Sequence, residues 1–342
     1  MHLRNGITYK HLFWDSWPLL LISCTWSSLV TYLFEVRGYE VIAVPTLPVA
    51  TIGIVVSLYL GFKSKSAYDR WWEARQIWGQ IVNDSRTFAN QALNLISCPD
   101  GAEHPAPLLV HRHLAWVNAL GYQLRKKSRL KVSSYQRVFD YRIKNISILP
   151  TSSPAAYERH LAEGEAEEVR HLANPATHIL RLQGAHLHVL MRQGQLENNR
   201  IVAMMGVVGR LYDCQGRCER IKNTPFPRQI TYFGLVFTWI FILLLPLAFV
   251  DPFAEQGAKA VGGREIDTFH VYMLAMVPFS MVVAWIFFML EKVSESCEDP
   301  FEWATTDVPI ATLTRTIEID LLQMLGESEI PKPLEPRQGV LY

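Results

Sequence analysis

The sequence is short of cysteine, of net charge and of any catalytic signature, and each shortage narrows what the chain does. Five cysteines, Cys24, Cys98, Cys214, Cys218 and Cys297, are an odd number with one close pair, which argues against a disulfide framework and for a reducing compartment. Cys214 and Cys218 stand four apart with no second pair nearby, so they read as small helix-packing residues rather than metal ligands. Thirty-three basic residues balance 32 acidic ones, leaving a formal charge of +1, so nothing global points to nucleic acid or an acidic surface as a partner. There is no Gly-rich phosphate loop, no G-x-S-x-G turn and no H-E-x-x-H pair. No enzyme and no cofactor are expected. Internal repeats are also missing, which sets aside solenoids and inverted-repeat transporters. No basic run followed by a short apolar core and a cleavage site opens the chain, so the first apolar segment is expected to remain.

Charge is missing in one further place, the interior of four apolar runs: Trp17 to Phe34, Val41 to Phe62, Tyr232 to Val250 and Val271 to Leu290. A bilayer core about 30 Å thick needs roughly 20 mainly apolar helical residues, and a helix of a soluble core usually keeps a polar face. The runs therefore predict four transmembrane helices. Trp14, Trp17, Tyr32, Tyr39, Tyr232, Tyr272 and Trp285 lie at or near their ends, where amphipathic rings favour the headgroup layer. The mean hydropathy of +0.09 is too low for an all-membrane chain, so a sizeable part is expected outside the bilayer.

Lys63, Lys65, Arg70 and Arg75 follow the second run and Lys292 follows the fourth. The positive-inside rule puts both following stretches in the cytoplasm. With four spans the N-terminus, bearing Arg4 and Lys10, is cytoplasmic as well, and short external loops are expected at Arg37 to Glu40 and Asp251 to Phe269. This predicts a multi-pass protein of the cell membrane with both termini inside. Four regions follow: 1–62 with the first two spans, a helical cytosolic body at 63–228, two further spans at 229–292, and a cytosolic C-terminal helix with a Pro-rich tail at 293–342.

Apolar residues at helical spacing, Trp71, Ala74, Ile77, Trp78 and Ile81, then Leu114, Val117, Leu120 and Leu124, support the helical body. Breaks are expected at Ser97 to Pro107 and Leu149 to Pro154. Glu163, Glu165, Glu167 and Glu168 read as a solvated helix face. After Asp307 a helix runs to about Leu325, and the tail through Pro331, Pro333 and Pro336 cannot build its own core, so it is expected to lie on another surface. His111 with His113 and His186 with His188 lack i, i+4 spacing, and no metal is expected there. Asp69 and Glu73 share one helix face with basic neighbours, which suggests inter-helix salt bridges.

The second run stands apart. Pro45 and Pro48 mark its start, where an unpaired amide makes proline tolerable. Ile54, Leu58 and Phe62 recur every four residues and form one stripe, with Gly53, Ser57 and Gly61 as a small stripe beside it. From spacing alone, lipid contact or packing explains such a stripe.

The residues that follow add more. Leu60-Gly61-Phe62-Lys63-Ser64-Lys65-Ser66-Ala67-Tyr68-Asp69-Arg70-Trp71-Trp72-Glu73-Ala74-Arg75-Gln76-Ile77-Trp78-Gly79 resembles the signature of the bestrophin family, above all its prokaryotic branch. His113-Leu114-Ala115-Trp116, Tyr122-Gln123-Leu124-Arg125 and Cys218-Glu219-Arg220-Ile221-Lys222-Asn223-Thr224-Pro225-Phe226-Pro227 extend the likeness over nearly the whole chain. The resemblance implies an all-α membrane protein with four transmembrane helices per subunit and a helical cytosolic body. It further implies a homopentamer in membrane lipid, with second helices lining a narrow neck of Ile54, Leu58 and Phe62. The permeant species would be small monovalent ions, anions such as chloride ahead of cations. A second constriction at the cytosolic exit falls on Asn199 counting back from Pro227 and on Arg200 counting forward from Gly194. Animal members have an acidic calcium-binding cluster after the fourth span. Here the matching stretch Glu298 to Asp307 keeps Pro300-Phe301 and Asp307 but lacks the consecutive acids, so no calcium site is expected. The alternatives are a transporter or scaffold whose second helix packs dry and, third, a membrane enzyme without a nominated nucleophile.

Overall fold

The computed structural model describes residues 9–99, 101–126, 151, 153–260, 267–304, 306–336 and 340–341. Arg4, the side chains of Lys10 and Trp14, part of the expected break at 149–154, and residues 261–266 of the second expected loop lie outside them. The described residues fold into ten α-helices and one 3-10 turn: α1 (Tyr9–Glu35), the turn Glu40–Ile42, α2 (Thr46–Asn94), α3 (Ala106–Arg125), α4 (Ala155–Glu158), α5 (Glu163–Arg170), α6 (Pro175–Arg192), α7 (Asn198–Asn223), α8 (Arg228–Ala260), α9 (Asp267–Glu298) and α10 (Ile310–Leu325). They form two compact units, one comprising 4–69 with Phe226–Glu298, the other Arg70–Pro225 with Asp299–Tyr342.

The first unit holds α1, the N-terminal part of α2, α8 and α9. Among the described residues four helical stretches, Ser16–Glu35, Glu40–Asn94, Arg228–Lys259 and His270–Glu298, are long and apolar enough to cross a membrane. α8 packs along α9, and α1 lies against both. Proline occurs inside three of these helices, at Pro18, Pro246, Pro252 and Pro278, a pattern that packed membrane helices tolerate because neighbours re-satisfy the freed carbonyls. Trp26 Nε1 donates to the Leu243 carbonyl at 2.9 Å and Trp285 Nε1 to Ser16 Oγ at 2.9 Å, so both indoles tie helices together.

One boundary follows the sequence expectation and one differs from it. The second apolar run becomes helical where its prolines mark the start. Pro45 restricts Val44 to extended backbone, the Val44 amide donates to the Leu247 carbonyl at 3.0 Å, and α2 starts only at Thr46, whose hydroxyl donates to the Ala248 carbonyl at 3.0 Å. Pro48 then falls in the first turn, where its missing N–H costs nothing. Asp251 to Ala260, expected as loop, continues α8. Lys259 and Glu255 pair one turn apart there at 2.6 Å, which favours the helix.

The second unit is built on one apolar core. Ala74, Ile77, Trp78 and Ile81 of α2 meet Leu114, Trp116, Val117 and Leu120 of α3, Ile179 and Leu187 of α6, Val207 and Leu211 of α7, and Ile317 and Leu321 of α10. The helical spacing read from the sequence thus marks the buried face. Asn174 caps α6 by accepting from the Thr177 amide at 3.1 Å. α10 ends at Gly326, whose φ of +73° suits a residue without Cβ. The Pro-rich tail lies on its own unit: Leu334 packs against Trp303 and Ala311, and Arg315 donates to the Lys332 carbonyl.

Glu165 departs from the solvated face: it accepts from Arg112, itself 3% exposed, while Glu168 stays exposed and pairs with Arg181 at the surface. A buried guanidinium needs a counter-charge, which explains why α5 carries an acidic turn.

Candidate functional site

Along α2 the two faces differ sharply. Val49, Gly53, Val56, Leu60, Lys63 and Ala67 are buried in alternating steps of four and three, while Leu47, Thr51, Ile54, Val55, Leu58 and Phe62 are exposed. Among the described residues nothing covers the stripe: Ile54, Leu58 and Phe62 are 68%, 60% and 67% exposed. An apolar row this continuous on a protein surface marks a place where other matter is meant to sit.

The opposite face is fastened to α8 and α9. Gly53 lets the Phe241 ring approach so closely that a Cβ would lie 2.7 Å from it. Tyr59 donates its hydroxyl to the Ile230 carbonyl at 3.0 Å and meets Phe237 edge-on. Of the small residues flagged in the sequence, only Gly53 serves close helix contact. Ser57 is exposed and donates to its own helix at Ile54 O, and a Cβ on Gly61 would meet nothing.

Lys63 has a role that its place in the charge pattern did not suggest: it is buried, with Nζ 2.5 Å from Glu291 Oε1 and 3.3 Å from Glu298 Oε1. The signal was available: a lysine is the first charge after one apolar run and a glutamate, Glu291, the first after another. An ionisable group at such a place needs a partner.

In the second unit, Asn199 stands exposed in the first turn of α7. Its neighbour Arg200 is held back, donating from Nη1 to the Leu95 carbonyl at 3.0 Å, with Nε 3.3 Å from Glu197. Arg70 donates to the Ile221 and Thr224 carbonyls and so caps the C-terminal end of α7, while Trp71 Nε1 donates to Thr306 O at 3.0 Å. Glu73 reaches Arg220 on α7 at 2.6 Å, the inter-helix bridge the spacing suggested, but Asp69 pairs with Lys65 on its own helix.

The stretch after α9 is organised around an internal cation. Arg125 donates to Asp307 Oδ2 at 3.0 Å and to the Val308 carbonyl at 2.9 Å, and its guanidinium lies 4.4 Å from the Trp303 ring centre. Trp303 adopts a φ of +67°, a rare conformation for a bulky residue. Burial outweighs the neighbouring guanidinium and pushes the Asp307 carboxyl up to about 6. His113 is a core residue, 2.8 Å from Ser85 Oγ and stacked on Phe88; burial lowers it to about 3, so it stays neutral. His186 lies against Arg112, and Cys214 and Cys218 are buried, their thiols raised by desolvation. Among the described residues no three His, Cys, Asp or Glu side chains converge as a metal site would require.

The sequence matches the profile of bacterial and fungal bestrophin proteins over residues 12–323. The chain belongs to the bestrophin family. Among the curated bestrophin relatives, a voltage-dependent anion channel-forming protein of Mesorhizobium japonicum is 30% identical over 84% of this chain and 77% of its own length. The voltage-dependent anion channel-forming protein YneE of Escherichia coli is 26% identical over 93% and 89%. Among solved structures, a bacterial bestrophin homologue from Klebsiella pneumoniae superposes with a TM-score of 0.72 at 25% identity, covering 91% of this chain and 98% of that one. Family and apolar helices together make this bestrophin a membrane protein, and the family is one of channels rather than enzymes.

Proposed function

We propose that this bestrophin is one subunit of a homopentameric anion channel of the bacterial cell membrane, with chloride-like monovalent ions as cargo and both termini in the cytoplasm. The observation that carries the reading is the stripe Ile54, Leu58 and Phe62, continuous, apolar and uncovered within the subunit. Four spans per chain are too few to enclose a pore lined by one helix, so five copies of α2 supply the wall. The relatives named as anion channel-forming support the choice of cargo.

In this reading three stacked rings of apolar side chains form a neck. An ion entering it sheds water without gaining ligands, so a small change of radius switches conduction by dewetting. The electropositive edge of the Phe62 ring favours an anion where its face would favour a cation. Residues 63–228 enclose the cytosolic vestibule, and its exit constriction is formed by Asn199. Arg200, engaged with Leu95 O and Glu197, backs that turn instead of projecting its charge freely.

The test is chloride flux from liposomes carrying purified protein. Leu58→Ala together with Phe62→Ala widens the neck and is expected to raise flux above wild type. Zero flux in both proteins, each shown to be folded and inserted, would remove the channel reading.

A further inference from the structure

Lys63 directly follows the last residue of the proposed neck, and on an α-helix the two side chains point about 100° apart. Phe62 is exposed while the Lys63 side chain is fully buried. Three features make its surroundings a built site. The ammonium meets two carboxylates, Glu291 at 2.5 Å and Glu298 at 3.3 Å, both on α9. Thr231 of α8 donates to Glu298, 3.0 Å from each of its oxygens. Gly234 of α8 closes the cluster from above: a Cβ there would come within 3.3 Å of Glu291 Oε2 and of Tyr59 Cε1, and 3.4 Å of Lys63 Cδ. The only other charges placed on this turn of α9 are Lys292 and Glu295, which pair with each other at 2.6 Å.

We propose that Lys63, clamped by Glu291 and Glu298, is the positioning residue that fixes the rotation of α2 and so holds Phe62 in the neck. The inference rests on the channel reading above and adds to it the device that sets the gate's resting position. Turning α2 far enough to withdraw Phe62 would pull the ammonium away from both carboxylates, and parting a buried pair leaves uncompensated charge in a medium that solvates it poorly. The packed row Val49, Gly53, Val56, Leu60, Lys63 and Ala67 is otherwise apolar or small, and apolar contacts alone permit slippage that a hydrogen-bonded ion pair does not. An apolar neck is sensitive to small displacements, so a single ionic clamp one residue away is enough to bias it.

Full-length wild type, Phe62→Ala, Lys63→Met, Glu298→Gln and the charge exchange Lys63→Glu with Glu291→Lys would be reconstituted in planar bilayers and read as chloride open probability against voltage. Lys63→Met is expected to raise open probability about 5-fold or more, the size of an ordinary coupling between sites, and Glu298→Gln to raise it by less. The exchange restores it towards wild type, whereas either single reversal does not. Glu298→Gln removes one of the two carboxylates but keeps the Lys63 to Glu291 pair, so it leaves no unpaired buried charge and supplies a smaller rise in the same direction if Lys63→Met fails to assemble. A folded Lys63→Met, or in its absence Glu298→Gln, with wild-type open probability at every voltage overturns the clamp, and if Phe62→Ala still raises conductance the channel reading survives. If Phe62→Ala is equally inert while chloride current is present, the placing of Phe62 in the neck falls and the clamp falls with it; absence of current in every folded variant removes the channel reading itself.

Discussion

The asymmetry of α2 can be measured with one substitution made twice, Gly53→Ala and Gly61→Ala, eight residues apart on the same helix. Both replace glycine in a helix interior, which by itself stabilises by about 1 kcal/mol because alanine loses less backbone freedom on folding. At Gly61 a Cβ meets nothing within 4 Å, so that gain should appear undiminished. At Gly53 the Cβ would sit 2.7 Å and 2.8 Å from Phe241 Cε2 and Cζ. Ordinary contact begins at 3.4 Å, so ring or helix must yield by about 0.7 Å. The ring has little freedom to do so, since Phe241 is 5% exposed and its centroid lies 4.5 Å from that of Phe287. Overpacking of this kind costs about 1–3 kcal/mol, which cancels the propensity gain or exceeds it. Gly61→Ala should therefore melt above wild type in detergent and Gly53→Ala at or below it, with about 1–3 kcal/mol between the two. In liposomes Gly53→Ala should also alter chloride flux, because the displaced helix carries the neighbouring Ile54 on its exposed face. Equal melting shifts in the two variants would refute the assignment of packed and open faces.

Two other expectations concern the second unit. Asn199→Asp puts a ring of carboxylates at the proposed exit and should move the reversal potential under a salt gradient towards cation permeation, while the same measurement on Asn199→Ala should show little change. His113 is held neutral, its pKa lowered from 6.5 to about 3 by burial, so its contribution is complete above about pH 6.5 and is lost as pH falls towards 3. At pH 5 the loss is about 2 kcal/mol, from 1.36 kcal/mol per pH unit. His113→Gln, which cannot take up the proton, should show a smaller drop in thermal midpoint between pH 7.5 and pH 5 than wild type; an identical drop would mean that other groups govern the acid response.

Much of the fold was legible because its signals are local. The four apolar runs need no partner to be recognised, since each must satisfy its own backbone in lipid and does so as a helix. The alternation of Ala74, Ile77, Trp78 and Ile81 identified a core face for the same reason: on a helix, spacing alone decides which residues point together. Prolines gave the start of α2 to within a few residues of Thr46. The candidate site was less legible. Ile54, Leu58 and Phe62 share a stripe in any helix, but whether that stripe is covered depends on where α8 and α9 lie.

Sequence alone therefore determined which segments are membrane-length helices, which residues share a face, and, through the run from Leu60 to Gly79, the family. The tertiary structure decided what each face meets. It buried Lys63, which the charge pattern marked only as one basic residue among several after the second run, because Glu291 and Glu298 arrive from a helix more than 200 positions away in the chain. It likewise turned Glu165 from a solvated charge into the counter-ion of Arg112, and set Arg125 against Asp307. Burial and charge pairing are properties of neighbours in space, and the free energy of an ion depends on the medium around it rather than on its place in the chain.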